Sequence, residues 1–79
     1  MNNQAIYERI FRSLFMLEDK DFESDYTFAD HDNWDSMAHL QLISELEDHF
    51  DVLFDSEDIL GFGSYQNGMK ILRGYGVDI

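Results

Sequence analysis

Asp35 and Ser36 are adjacent at the predicted beginning of a helix, and no other pair in this chain is better placed for covalent chemistry. A serine hydroxyl at that position is a good site for a phosphoester, because the phosphate would meet unpaired N–H groups and the positive end of the helix dipole. Asp35 can help to position a metal–phosphate donor that is bound to another enzyme. The alternative role of Ser36 is purely structural, as a cap of the helix.

Ser36 is not expected to act as the nucleophile of a hydrolase. No Gly-x-Ser-x-Gly sequence surrounds it, and His39 is predicted to point toward the core. No set of base, nucleophile and oxyanion donor can be assembled from the motifs present. We therefore predict that the chain has no catalytic residues and is not an enzyme.

Acidic residues after the first predicted helix have a spacing close to that of a calcium-binding EF-hand loop. They occupy relative positions 1, 3, 5, 7 and 12 of a twelve-residue window: Asp19, Asp21, Glu23, Asp25 and Asp30. Ser24 stands at the sixth position, where glycine usually makes the turn, and Asp30 is shorter than the usual closing glutamate. Calcium binding is therefore a weak alternative. His31, His39 and His49 do not converge, so no metal site is predicted.

Apolar residues at helical spacing predict an all-α fold, a small bundle of three main helices and one short helix in a single domain, 1–79. The first helix begins at Asn2 or Asn3, either of which can cap it. Its core-facing residues are Ile6, Ile10, Phe11, Leu14, Phe15 and Leu17. A long irregular segment, 18–33, follows, and a connection of this length is usually functional or anchored by its own aromatic residues.

The second helix, from Asp35 or Ser36 to about Phe50, is predicted to have two faces. The core face carries Leu42, Ile43, Leu46 and Phe50, with His39 along the same arc. The other face begins with Ser36 and continues with Met37, Leu40, Ser44, Glu47 and Asp48. An apolar pair within an acidic rim is typical of a docking surface for a basic, partly apolar partner. The alternative is that the long loop covers Met37 and Leu40.

A short helix over 57–60 is predicted after Ser56 as its cap, with Gly61 at its end. Ser64 then caps the last helix, and Gly74 is placed as the residue just after it. We expect a core rich in phenylalanine that leaves little room for a long buried chain: Phe11, Phe15, Phe28, Phe50 and Phe54.

The chain contains 17 acidic and 5 basic residues, a net charge of −12, with no cysteine and no proline. This balance argues against nucleic acid and anionic membranes as partners, since both attract basic surfaces. No stretch is apolar enough to span a bilayer and no signal peptide is recognised, so a cytoplasmic protein is expected. No lysine or arginine occurs from Asp21 to Met69. That acidic region is either a solubilising surface or an attraction for basic protein partners.

The segment 33–50 resembles the attachment site and second helix of acyl carrier proteins. The family pattern is Asp-Ser-Leu, followed by apolar and acidic residues at helical spacing and a closing phenylalanine. Here it reads Asp35-Ser36-Met37 and ends at Phe50, and 54–59 resembles the acidic stretch before the family's short third helix. By length and helix order the likeness extends over nearly the whole chain. It implies a small four-helix bundle of the acyl-carrier type.

The resemblance implies that Ser36 carries 4′-phosphopantetheine, which a phosphopantetheinyl transferase moves from coenzyme A with its own magnesium. The thiol of that arm would hold an acyl group as a thioester. The surface that partner enzymes recognise would consist of Asp35, Met37, Leu40, Ser44, Glu47 and Asp48. Those partners would be an acyl-loading ligase or synthase and acyltransferases with basic docking patches. The carrier itself would be a monomer.

The sequence departs from the family pattern at several positions. Met37 replaces the usual leucine, and Asn33 stands where the family has glycine. Ala38 and Gln41 replace residues that are often acidic in housekeeping fatty-acid carriers, which indicates a specialised carrier, for example for polyketide or surface-polysaccharide assembly. An aminoacyl carrier remains open, as does an acidic calcium-binding or adaptor protein without a prosthetic group.

Overall fold

Helix α1, Asn3–Phe15, forms where the spacing of apolar side chains predicts it, in a computed structural model that describes residues 2–79. Of the two predicted candidates, Asn2 is the cap, and its side-chain oxygen accepts a hydrogen bond from the Ala5 amide at 2.7 Å. The helix ends at Met16, which adopts the left-handed conformation with a φ of 57°. Leu17 therefore lies beyond the helix and is only partly buried.

Helix α2, Ser36–Phe50, begins as predicted, with Asp35 as its cap. It ends at Asp51, which is also left-handed with a φ of 54°. Its buried side chains are Leu42, Ile43 and Leu46, which confirms the predicted core face apart from Phe50, a partly buried residue.

The connection between α1 and α2 contains a short 3-10 helix, Asp19–Phe22, which the sequence pattern did not indicate. Further along, the connection is fastened to the start of the last helix. The Tyr65 amide donates to the Tyr26 carbonyl at 2.8 Å, and the Phe28 amide donates to the Gly63 carbonyl at 3.0 Å. These bonds hold a long segment in place without a strand.

Helices α3, Ser56–Leu60, and α4, Tyr65–Gly74, complete the fold. Ser64 caps α4 as predicted, since its hydroxyl accepts from the Asn67 amide at 3.0 Å. Two boundaries differ by one residue. Ser56 is the first residue of α3, and Gly74 is the last residue of α4 instead of the residue after it. Such shifts are within the ordinary uncertainty of helix ends. The described residues thus confirm a small, mostly helical fold with four α-helices.

The core is aromatic, and its centre lies under the beginning of α2. Trp34 is 1% exposed and its ring centroid lies 5.4 Å from that of Phe11 in an edge-on arrangement. Tyr7 and Phe62 are also fully buried. The expectation that Phe28 belongs to the core is wrong, because this side chain is 42% exposed. The backbone bond to Gly63 holds Phe28 at the edge of the core, against the rims of Trp34 and His39.

Gly68 explains how closely α4 approaches this core. A Cβ atom at this position would collide with the side chains of Phe62 and Tyr7. Glycine therefore allows α4 to pack directly on the two aromatic rings, despite its unfavourable helix propensity.

Candidate functional site

Ser36 is the first residue of α2 and its side chain is exposed. One oxygen of the Asp35 carboxylate accepts a hydrogen bond from the Ala38 amide at 2.9 Å, so Asp35, not Ser36, is the cap. The Asp35 carbonyl accepts from the His39 amide at 2.8 Å. Within residues 2–79 no acceptor engages the amides of Ser36 and Met37. The Ser36 hydroxyl is therefore free of the capping role that the sequence left open and lies beside two unpaired N–H groups.

A pocket of about 400 Å³ opens next to Ser36. Three segments that are distant in sequence form it: the α1–α2 connection, the first turns of α2, and the region from α3 to the start of α4. The lining residues are mostly apolar, with Ser36 and His39 as the polar ones: Phe28, Ser36, His39, Leu40, Ile59, Leu60 and Gly63. Leu60 is 88% exposed, so the pocket lies at the surface and α3 forms its outer wall.

His39 is the polar side chain at the inner side of this pocket. The Trp34 indole Nε1–H donates to His39 Nδ1 at 3.0 Å, and His39 Nε2 lies 2.7 Å from the Ile59 carbonyl oxygen. An indole N–H can only donate and a carbonyl can only accept, so the ring is the neutral tautomer that carries its proton on Nε2. Both ring nitrogens are engaged. The prediction that His39 points inward is consistent with this geometry.

The predicted apolar docking pair is not covered by the long connection. Met37 is 82% exposed and Leu40 is 64% exposed, so the alternative that the loop buries them is wrong. Ser44 and Asp48 are exposed on the same helix. The structure thus brings together at one surface the apolar pair, the attachment candidate Ser36 and the pocket.

Glu47 differs from the other candidates for partner binding. It is partly buried, and its carboxylate accepts a hydrogen bond from the Phe54 amide at 3.0 Å. This contact holds the segment that follows α2 against the helix. Glu47 therefore has a structural role in the chain, and a role in partner recognition stays a prediction.

The acidic residues of the α1–α2 connection do not converge on a common point. Four of the five candidate calcium ligands hold separate parts of the chain, and within residues 2–79 no group of three or more His, Cys, Asp or Glu side chains is arranged to hold a metal ion. The contacts are Arg12 Nη2 to Asp19 Oδ1 (2.7 Å), the Glu18 amide to Asp21 (2.8 Å), the Gln66 amide to Asp25 (2.9 Å) and the Thr27 hydroxyl to Asp30 (2.9 Å).

Tyr75 fixes the beginning of α3. Its hydroxyl donates to Asp58 Oδ2 at 2.6 Å and accepts from the Asp55 amide at 2.8 Å. The hydrogen bond to the Asp58 carboxylate raises the pKa of the Tyr75 phenol, because the bond favours the protonated form. Nothing in the sequence pattern marks Tyr75, and no periodicity pairs it with residues almost a quarter of the chain away.

Three other residues of the site are not indicated by the sequence: Phe28, which the pattern places in the core, Leu60, which it places only in a short helix, and Gly63, for which it predicts no role. Their only sequence signal is an apolar side chain or a glycine next to a predicted turn.

Comparison of the chain with protein-family models, with curated proteins and with solved structures found no match. No helix within residues 2–79 has the length and apolar character needed to cross a membrane.

Proposed function

We propose that this chain is an acyl carrier protein, which holds an acyl intermediate as a thioester on a 4′-phosphopantetheine arm attached to Ser36. The observation that carries the proposal is the exposed Ser36 side chain at the first position of α2, beside an apolar pocket of about 400 Å³. The order of helices, with a long connection before α2 and a short α3, is consistent with an acyl-carrier type of bundle.

The residues around Ser36 fit a phosphodiester. The amides of Ser36 and Met37 have no acceptor within residues 2–79, and they lie at the positive end of the α2 dipole. The Asp35 carboxylate is held by the Ala38 amide, which leaves its second oxygen for a metal–phosphate donor on the transferase. Ser36 would supply the oxygen that becomes esterified, and the arm, once bound, would supply the thiol for the thioester.

The lining of the pocket favours an uncharged acyl group over an aminoacyl group. Apart from His39, whose two ring nitrogens are engaged, none of its lining side chains is titratable. A buried ammonium group without a carboxylate partner is costly. The volume is near the lower end of the roughly 300–1,000 Å³ of small-molecule sites, which favours a short or medium acyl chain.

Partner enzymes would dock on the surface around Ser36, where Met37 and Leu40 are exposed within an acidic surround. They would include the phosphopantetheinyl transferase, a loading ligase or synthase, and acyltransferases with basic patches, in a cytoplasmic fatty-acid, polyketide or surface-polysaccharide type pathway. The chain itself would be their substrate and not an enzyme. Electrostatic attraction of this kind speeds encounter and selects partners more than it adds affinity.

Mass spectrometry of the intact protein tests the proposal. After incubation with coenzyme A, magnesium and a broad-specificity phosphopantetheinyl transferase, the wild-type chain should gain one phosphopantetheinyl group. Ser36→Ala should gain none. Ser44→Ala is the matched control, because Ser44 is another exposed serine on α2, and it should be modified as the wild type is.

The outcome separates the proposal from its alternatives. An unmodified wild-type chain that still binds basic partners would indicate an adaptor without a prosthetic group. An adduct that persists in Ser36→Ala would place the arm elsewhere and contradict the assignment of Ser36.

A further inference from the structure

We propose that His39 is a positioning residue: it holds α3 in place as the outer wall of the pocket beside Ser36, and thereby controls whether a tethered group can enter that pocket. The part that concerns cargo rests on the proposed function. The part that concerns α3 rests only on the hydrogen bonds of the chain and can be tested without any modification of Ser36.

His39 joins a fully buried donor to an otherwise unpaired acceptor. Trp34 is 1% exposed, so its indole N–H has no access to water and needs an acceptor inside the protein, which His39 Nδ1 provides. The Ile59 carbonyl lies near the C-terminus of α3, where helix carbonyls lack partners within the helix, and it accepts from His39 Nε2–H at 2.7 Å. A single imidazole thus connects the aromatic core, α2 and α3.

Helix α3 depends on such contacts. It has only five residues, none of them fully buried, and helices far shorter than about 12–15 residues are not stable alone in water. At its beginning the Tyr75 hydroxyl binds the Asp55 amide and the Asp58 carboxylate. At its end His39 binds the Ile59 carbonyl. The two contacts act on opposite ends of α3, and the pocket lies at the His39 end.

The walls of the pocket follow directly from the His39 contact. Ile59 and Leu60, the last two residues of α3, line the pocket opposite Leu40 of α2, and the His39 ring lies between the two helices. Just beyond Leu60, the Asn67 side-chain amide donates to the Gly61 and Phe62 carbonyls, so the segment that leaves α3 has an anchor of its own. If the bond to the Ile59 carbonyl is lost, the backbone of Ile59 and Leu60 keeps no hydrogen bond to a side chain within residues 2–79, and the outer wall of the pocket is held less firmly.

Substitutions of His39 distinguish hydrogen bonding from simple filling of space. His39→Leu keeps an apolar side chain but leaves both the Trp34 indole N–H and the Ile59 carbonyl without a partner. His39→Gln retains a donor and an acceptor on one amide, so it can restore one or both bonds. Tyr75→Phe is the control at the other end of α3, since Tyr75 does not line the pocket.

NMR spectroscopy of the unmodified chain tests the anchoring. Nitrogen-15 spectra of the wild type should show a proton on His39 Nε2 and none on Nδ1. In His39→Leu, amide exchange at the end of α3 should be about 10- to 100-fold faster, as expected when a buried donor and acceptor lose their partners. His39→Gln should recover most of this protection, and Tyr75→Phe should leave the His39 tautomer unchanged. A proton on Nδ1, or equal exchange in the wild type and His39→Leu, would overturn the proposal.

Spectra of the loaded protein test the control of the pocket. Attachment of an octanoyl-phosphopantetheine arm should shift the resonances of Phe28 and Leu60 in the wild type and in His39→Gln, and should shift them much less in His39→Leu. If His39→Leu loosens α3 but the acyl-dependent shifts persist, the role in cargo access is wrong. If Ser36 accepts no arm at all, the proposed function fails, while the tautomer and exchange measurements still decide the role of His39 in anchoring α3.

Discussion

The two faces of α2 carry similar apolar residues, but those on one face are buried and those on the other are exposed. On the inner face Leu42 and Leu46 are completely buried, and within residues 2–79 no buried side-chain nitrogen or oxygen lacks a hydrogen-bond partner. On the outer face Met37 and Leu40 are 82% and 64% exposed. The inner residues are explained by folding alone. The outer apolar residues contribute little to folding, so their place beside Ser36 needs another reason, and docking is the reason proposed here.

The largest expected difference between the faces is in stability, and two leucines of the same helix measure it. Leu46→Ala should lower the free energy of unfolding by about 2–5 kcal/mol, because it removes buried methyl groups and leaves a cavity. Leu40→Ala should change it by no more than about 0.5 kcal/mol, because the side chain is mainly in water. Urea unfolding monitored by circular dichroism gives both values. A large loss in Leu40→Ala would mean that the outer face is part of the core.

Alkaline pH should weaken the core against which the inner face of α2 packs, since that core contains buried tyrosines on α1 and α4. The Tyr7 hydroxyl donates to the Tyr65 carbonyl at 2.7 Å, and burial raises the pKa of Tyr7 well above its usual value. Burial likewise raises the pKa of Tyr65 to about 12. A phenol whose pKa rises on folding contributes stability that is complete below about pH 10 and is lost as the pH rises toward the folded-state pKa.

The free energy of unfolding should therefore fall above about pH 10, by at most about 1.4 kcal/mol per pH unit for each of these tyrosines. Urea titrations between about pH 8 and about pH 12 measure the slope. Tyr7→Phe is the control: it should be less stable at neutral pH, because the Tyr65 carbonyl loses its donor, and it should show a shallower alkaline slope. An equal slope in Tyr7→Phe would exclude Tyr7 as a source of the effect.

The beginnings of the helices were predictable because their causes are local. The hydrogen bonds of Asn2, Asp35 and Ser64 to nearby amides define three helix beginnings, and such caps depend on a few consecutive residues. Helix ends were harder to place. Met16 and Asp51 are both exposed and close α1 and α2 in the left-handed conformation without glycine, the residue that would have signalled such an end.

The site was predictable only in the part that α2 carries. The helical period places Met37 and Leu40 on one face, but their exposure depends on the path of a long connection that has no period. That path also moves Phe28 out of the core and brings it to a pocket with Ile59 and Leu60. Contacts between segments so distant in sequence follow from the packing of the whole chain. The role of Glu47 in holding the Phe54 amide was missed for the same reason.

The smallest expected effect is on the free energy of unfolding, and its sign should differ between two aspartates at opposite ends of α2. Asp35→Ala should lower the free energy of unfolding by about 1 kcal/mol, because the Ala38 amide loses its cap. Asp48 lies in the last turn of α2, where a negative charge opposes the helix dipole, and no hydrogen bond or ion pair within residues 2–79 engages its carboxylate. Asp48→Ala should therefore leave stability unchanged or raise it by up to about 0.5 kcal/mol.

Since Asp48 is not expected to stabilise the fold, its proposed role is to attract basic partners. Asp48→Ala should slow modification by a phosphopantetheinyl transferase a few-fold at low salt, and the difference from the wild type should shrink as salt screens the interaction. Asp25→Asn is the matched control, because the Asp25 carboxylate is held by the Gln66 amide and lies outside α2. It should reduce stability with little effect on the rate of modification. Equal rates for Asp48→Ala and wild type at low salt would show that Asp48 has no part in transferase docking, and the outer face would then rely on Met37 and Leu40.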